Sequence, residues 1–198
     1  MTDSALDRPD VHALRDETCS LLAGRVVEVG FGSGLNVWHY PTAVTRVHAV
    51  EPLSAARALA GPRISASSVP VTFDGEDAQR LPFDDGSLDA ALLTFTLCAI
   101  PDPAAATSEL YRVLVPGGTV AFLEHGRSPD PGVRRWQRRL NGLNLRVDGC
   151  HLDRVAPELL HRAGFSVSVT REHYLARVPR FAGYLYQGSA RKPAVPAD

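Results

Sequence analysis

The apolar positions of the chain change period as it runs. From residue 10 to 22, Val11, Leu14, Leu21 and Leu22 stand at helical spacings with charge between them, which predicts an N-terminal helix closed by Gly24. Arg25 to Val29 is a short block of buried-strand character that runs directly into Gly30-Phe31-Gly32-Ser33-Gly34. Arg46 to Val50 reads as a second strand ending on Glu51-Pro52, and the alanine-rich stretch from Ser54 to Ala60 favours a helix that Gly61-Pro62 should end. Val69 to Phe73 is a third strand. Leu88 to Thr94 is a fourth, with the nearly continuous apolar run of a strand covered on both faces. Ala104 to Val115 reads as a helix with Pro103 at its start and Pro116-Gly117-Gly118 as its stop, before a fifth strand from Thr119 to Leu123. Strands alternating with helices predict an open, mainly parallel α/β sheet.

Beyond residue 124 the pattern differs. Residues 127–146 hold Arg127, Arg134, Arg135, Arg138, Arg139 and Arg146 against the single acid Asp130. Trp136, Leu140 and Leu143 recur at steps of four and three, so a basic amphipathic helix should begin near Pro131. Three readings of this segment stand side by side: a solvated face, a cover over an acceptor site formed by an insertion at 127–149 with Trp136 and the leucines inward, or a weak peripheral contact with anionic lipid. Leu152 to Arg162 reads as a last helix ending at Gly164, Phe165 to Thr170 and Phe181 to Gln187 as a last strand pair, and 189–198 as a flexible tail. One domain over 1–188 is expected.

Composition narrows the class. The 198 residues are 44% hydrophobic, enough for one substantial core. Twenty-one basic residues balance 22 acids, which argues against a nucleic-acid partner bound through its phosphates. Cys19, Cys98 and Cys150 are odd in number and lack a CxxC spacing, so neither a disulfide scaffold nor a metal site is expected, and a reducing, cytoplasmic setting fits. The acidic first residues and the lack of an 18-residue apolar run predict neither a secretory signal nor a transmembrane segment.

The chemistry concentrates after the strands. Glu28, Gly30, Gly32 and Gly34 make an ExGxGxG turn in which glycines admit a ligand close to the backbone, while the acid disfavours a pyrophosphate and suits a ligand carrying a positive amine. Glu51, at the tip of the second strand, is placed to accept bonds from ribose hydroxyls. Asp77 would accept from an exocyclic base amine, with Ala78 leaving room for a planar ring. The plainer reading makes the glycines a structural turn and the acids solvated loop residues.

Taken together, VVEVGFGSG, HAVEP, GEDAQRLPFDDGSLDA, ELYRVLVPGG and FLEH resemble the class I S-adenosylmethionine-dependent methyltransferases, over almost the whole chain. The resemblance implies a seven-stranded, mostly parallel Rossmann-like sheet with helices on both faces and an antiparallel last strand beside the fifth. It implies S-adenosylmethionine as cofactor, with S-adenosylhomocysteine as product. Glu28 and Gly30 would meet the methionyl part, Glu51 the ribose, and Asp77 with Ala78 the adenine. Phe31, Gly32, Gly34, Asn36, Pro52, Thr94 and Phe95 complete the implied cofactor shell. Phe31 and Ser33 stand where small residues and threonine are usual. TLCAIPDP, FLEHGRSP before WQRRLN, GCHLDR and GYLYQGSARK look like bacterial relatives of the mammalian membrane-associated alkyl-thiol methyltransferases, whose N-terminal anchoring region this sequence lacks.

An acceptor thiol must shed its proton before it attacks a sulfonium methyl. His125, just beyond the fifth strand, is the first candidate base, with His39, His151 and Asp148 in reserve, although His125 also suits a capped strand end. The acceptor pocket is expected to draw on His39, Leu97, Cys98, Trp136 and His151; Cys98 equally suits a packing role. Thr94-Phe95-Thr96-Leu97 replaces the Asn/Asp-Pro-Pro-aromatic tetrad of enzymes acting on amide or base nitrogens. Methyl transfer to a small molecule, a thiol first, is the leading expectation. Lipid or quinone methylation and a non-catalytic cofactor-binding protein are the alternatives; oligomeric state is not legible.

Overall fold

Residues 6–194 are described by a computed structural model of the chain. Seven strands form one sheet: β1 (Gly24–Val29), β2 (Val44–Val50), β3 (Val71–Gly75), β4 (Leu88–Thr94), β5 (Leu114–His125), β6 (Ser166–Tyr174) and β7 (Tyr184–Arg191). Their order is β3-β2-β1-β4-β5-β7-β6. The first five are parallel, and β7 returns antiparallel between β5 and β6, as expected. Among the described residues five α-helices flank it: α1 (Pro9–Cys19), α2 (Ser54–Ser65), α3 (Pro103–Val113), α4 (Pro131–Asp148) and α5 (Ala156–Arg162).

Alternation along the strands divides the core. Val27, Val29, Leu93 and Phe122 face one side and pack with Ala106 and Leu110 of α3 and Leu160 of α5. Val26, Val47, Leu92 and Ala121 face the other, against Cys19 and Ala60. Val11 and Leu14 of α1 cover Leu123 and Leu185. β1 lies between β2 and β4, so the chain leaves it to one side and later returns on the other. At such a switch point the carboxyl ends of the strands part and leave a crevice.

Several boundaries depart from the sequence expectation for identifiable reasons. α1 stops at Cys19, and Gly24 instead opens β1 at φ +70°, its N–H donating to Ala43 O at 2.8 Å. α2 runs through Gly61-Pro62 to Ser65 because its last turn is held from outside: Ile64 packs on the core and Arg63 donates to Ser33 O at 2.8 Å. Pro116-Gly117-Gly118 lies within β5 rather than between elements. Gly117, at φ +81°, takes up the slip by which Leu88 faces Leu114 but Ala90 faces Thr119. α5 begins four residues later than expected: Leu152 is instead bonded to α4, its N–H donating to Asn141 Oδ1 at 2.8 Å and its O accepting from Gln137 Nε2 at 2.9 Å, and Arg154 O accepts from Arg127 N at 2.9 Å. Ser189, Ala190 and Arg191 pair with both β5 and β6, so the expected tail from 189 is corrected and the domain includes all of β7. Residues 195–198 of the expected tail lie outside the described residues.

Candidate active site

The turn after β1 sits in the crevice. Gly30, at φ +71°, donates to Val50 O at 2.9 Å, and a Cβ there would run into the Thr96 side chain. Only glycine lets β1 turn this close to the loop after β4. Phe31 turns its side chain away from the crevice into the core, edge-on to Phe73 with ring centroids 5.4 Å apart. The large residue therefore leaves the backbone turn free, and any cofactor contact of Phe31 is through its main chain or its rim of the small hollow described below.

Glu28 departs from its expected role. It is fully buried, with Tyr40 Oη donating to one carboxylate oxygen at 2.5 Å and Asn36 Nδ2 to the other at 2.9 Å. Burial raises its pKa to about 7 against those two bonds and the nearby Arg15 cation. It therefore reaches a ligand only through Asn36, which also donates to Thr94 Oγ1 at 2.8 Å. Arg15, read from the sequence only as charge between apolar positions, is 3% exposed and donates to Asn36 Oδ1 at 2.5 Å. Its Nε has no partner. Arg15, Gly30, Gly32, Asn36, Thr94 and Phe95 line a hollow of about 160 Å³ beside the main crevice.

The main crevice is a cleft of about 630 Å³ that shares Gly30 and Phe95 with this hollow. Glu51 lines it and braces it: one oxygen accepts from Gly32 N at 2.8 Å and the other from Leu53 N at 2.9 Å, leaving lone pairs for a ligand's hydroxyls. Pro52, Asp77 and Ala78 line the same wall. Asp77 is held below the usual carboxylate range by the Gln79 side chain and backbone N–H, both of which donate to it. The sequence-predicted cofactor residues thus divide between cleft, hollow and support. Gly34 supports, since a Cβ there would press on Phe31 at 3.1 Å.

Phe95, a non-glycine residue at φ +54°, begins the loop after β4 that forms the far wall with Thr96, Ala99 and Ile100. Glu124 clamps this loop, accepting from Thr96 N at 2.9 Å and Leu97 N at 3.2 Å, and burial raises its pKa to about 8. Cys150, placed by the turn after α4, closes the end of the cleft together with Asp148. Cys98 and His125 stand behind it, 1% and 4% exposed. Cys98 Sγ donates to Cys150 Sγ at 3.1 Å, a bond that with the adjacent His125 draws the Cys150 thiol below its ordinary pKa and pushes Cys98 up.

Four expected acceptor-pocket residues lie elsewhere. Leu97 is buried in the core. His39 faces α1, bonded to Asp16 at 2.5 Å and to His12 at 3.0 Å. His151 ties its backbone N–H to Cys98 O at 2.9 Å and its ring to Asn141, bracing the cleft without lining it. Trp136 is 55% exposed and lines a separate hollow with Asp130, Arg180 and Phe181. α4 is amphipathic in the reverse sense to that expected: its one fully buried side chain is Gln137, and Leu143 and Val147 face outward. Its inner face is a row of amides. Gln137 Nε2 donates to Gly126 O and Leu152 O, both at 2.9 Å, and Asn144 Nδ2 to Cys150 O at 2.8 Å. Apolar periodicity cannot register such a face. His125 is likewise screened from the cleft, so it does not meet an acceptor directly.

The family model described as "Methyltransferase domain" matches residues 27–122. The thiol S-methyltransferase TMT1B of Rattus norvegicus is 31% identical over 148 residues, 71% of this chain and 59% of that protein. The chain thus spans under two thirds of the length of such relatives. A demethylmenaquinone methyltransferase of Clavibacter sepedonicus is 43% identical over 75 residues, 38% of this chain and 31% of its own. Among solved structures, the YcgJ protein of Bacillus subtilis superposes with a TM-score of 0.74 at 15% identity, covering 93% of this chain and all of that one, which shows a shared fold.

Proposed function

Because the chain carries a methyltransferase domain of the class I, S-adenosylmethionine-dependent kind, we propose that it transfers the sulfonium methyl group to the sulfur of a small thiol. The observation that carries this reading is one continuous cleft running from Glu51 and Asp77, past Gly30, to Ile100 and Cys150. Adenine fits against Ala78 with its amine toward Asp77, and the ribose hydroxyls fit the free lone pairs of Glu51. The methionyl part then points along the glycine turn to the small hollow, where Arg15 is a buried cation with an open Nε for its carboxylate. Cofactor and acceptor would meet near Phe95 and Thr96. Enclosure there supports in-line attack by excluding water and fixing the reacting atoms.

Two observations favour a small neutral thiol as acceptor. The likeness to the thiol enzymes covers 148 residues, 71% of this chain, and so reaches beyond the span 27–122. The likeness to the quinone enzyme covers 75 residues. No lysine or arginine lines the cleft, and its acceptor end is walled by Phe95, Ala99 and Ile100, with Asp148 and Cys150 closing it. Among the described residues no helix is long and apolar enough to cross a membrane. Three buried free cysteines suit a reducing compartment.

The test is methyl transfer from labelled S-adenosylmethionine to matched alkyl thiols, phenols, amines and a demethylated naphthoquinone. The thiol should show a kcat/KM at least about tenfold above the others, a difference of roughly 1.4 kcal/mol in transition-state stabilisation. Label arriving on quinone carbon, with none on sulfur, would replace this acceptor.

A further inference from the structure

At the closed end of the cleft, three soft donors converge from three separate elements. Cys98 comes from the loop after β4, His125 from the last position of β5, and Cys150 from the turn after α4. Their two sulfurs and a ring nitrogen all lie within 4.8 Å of one another, and among the described residues this is the only such group. Four-coordinate zinc with Zn–S near 2.3 Å and Zn–N near 2.1 Å sets its donors roughly 3.5–3.8 Å apart, so the 3.1 Å sulfur pair needs to open by only about half an ångström or slightly more. We propose that Cys98, His125 and Cys150 bind one soft divalent cation of the zinc class, leaving its fourth position turned to the cleft.

The surroundings fit a cation. Two thiolates and a neutral imidazole form a three-donor set of the kind that keeps a coordination position open for water or substrate. The sites are held by bonds from outside the donors: Asn144 holds Cys150 O, His151 N holds Cys98 O at 2.9 Å, and Arg154 donates to Leu97 O and to Ile100 O. Such bonds fix ligand geometry before a metal arrives. Glu124 Oε2 is buried beside the group without a hydrogen-bond partner. A divalent ion or a water bound to it would satisfy that oxygen.

The cation's role rests on the thiol reading above. The acceptor thiol would occupy the fourth position through sulfur and release its proton to solvent on coordination. Its lone pair then forms the new C–S bond while the sulfonium C–S bond breaks, the electron pair staying with S-adenosylhomocysteine; the neutral thioether, a weaker ligand, departs. No oxidant or reductant is needed.

The experiment uses the whole reduced chain and cobalt(II) as a spectroscopic probe, followed by zinc competition. One equivalent should bind, with thiolate-to-cobalt charge-transfer absorption and the intense visible bands of tetrahedral cobalt; zinc should displace it. Addition of an alkanethiol should shift the visible bands. Cys98→Ser and Cys150→Ser should each weaken binding by roughly a hundredfold, at least the upper end of what a supporting residue costs. The wild-type spectrum stands even if a variant fails to fold. Failure to bind one equivalent, spectra without thiolate absorption, or a Cys98–Cys150 disulfide whose reduction yields no metal affinity would overturn the site. Normal metal binding with no thiol methylated would uphold the site and overturn the thiol reading instead.

Discussion

β4 and α4 both end at the cleft, yet they are fixed in opposite ways. β4 buries Ala90, Ala91, Leu92 and Leu93 almost completely between two apolar layers. α4 buries only Gln137, turns Trp136, Leu143 and Val147 to solvent, and is held by amides that reach backbone carbonyls below it. Burial is strong but undirected, so the strand's position follows from the sum of many contacts. Hydrogen bonds are individually modest but directional, so the helix is fixed in register over residues 126 and 150–152 with little apolar area removed from water. The wall proposed to carry the cofactor is thereby set by packing, and the wall that carries Cys150 by a few polar anchors.

That contrast can be broken from either side. Leu92→Ala should show the largest loss, about 4 kcal/mol from transfer and cavity costs, or a Tm drop of roughly 8–16 °C in a domain of this size. Gln137→Leu keeps the volume but strands the carbonyls of Gly126 and Leu152 and the N–H of Ser128, which donates to Gln137 Oε1 at 3.0 Å. About 3 kcal/mol should be lost. Hydrogen exchange should rise around 126–128 and 150–152 while the β1–β4 amides stay protected. If Gln137→Leu is neutral, the amide row is not what holds α4.

A smaller effect should appear only with pH. Glu28 has a pKa near 7 in the fold and 4.5 as its unperturbed value, so between those values the folded chain keeps a proton the unfolded chain has released. Its contribution is fully present below about pH 4.5 and lost as pH rises through 7. Glu28→Gln, which is neutral throughout, should therefore gain stability relative to wild type by about 2 kcal/mol between pH 5 and pH 8. A pH-independent difference in denaturant unfolding would mean that Glu28 is already ionised at pH 5. The smallest effect belongs to the outward face of α4. Trp136→Ala should change stability by less than about 0.5 kcal/mol and leave the KM for the acceptor within twofold. A large rise in acceptor KM would restore Trp136 to the acceptor wall.

The sheet was legible because its signal is apolar and periodic: Leu88 to Thr94 is found with its expected bounds, and the glycine turn, Glu51 and Asp77 follow from where strands end. The misses have the same root. Arg15 looks like a surface charge until α1 docks on β5 and buries it. Gln137, Asn141 and Asn144 are polar residues on an inner face, so the leucines of α4 point to the wrong side. Cys98, His125 and Cys150 are separated by 27 and 25 residues, with no local spacing to announce them, and only the convergence of β4, β5 and α4 at one sheet edge joins them.

Methyl transfer to a thiol in this cleft is tested by following labelled methyl from S-adenosylmethionine to an alkanethiol, for wild type and Glu51→Gln together. Glu51 touches the proposed ribose site but lies away from the sulfur end. Labelled thioether should form with wild type, and the variant should lose roughly 10- to 100-fold in kcat/KM for S-adenosylmethionine, the cost of a charged hydrogen-bond acceptor, with its acceptor KM unchanged. Absence of labelled thioether from wild type, or equal rates from both chains, would contradict it.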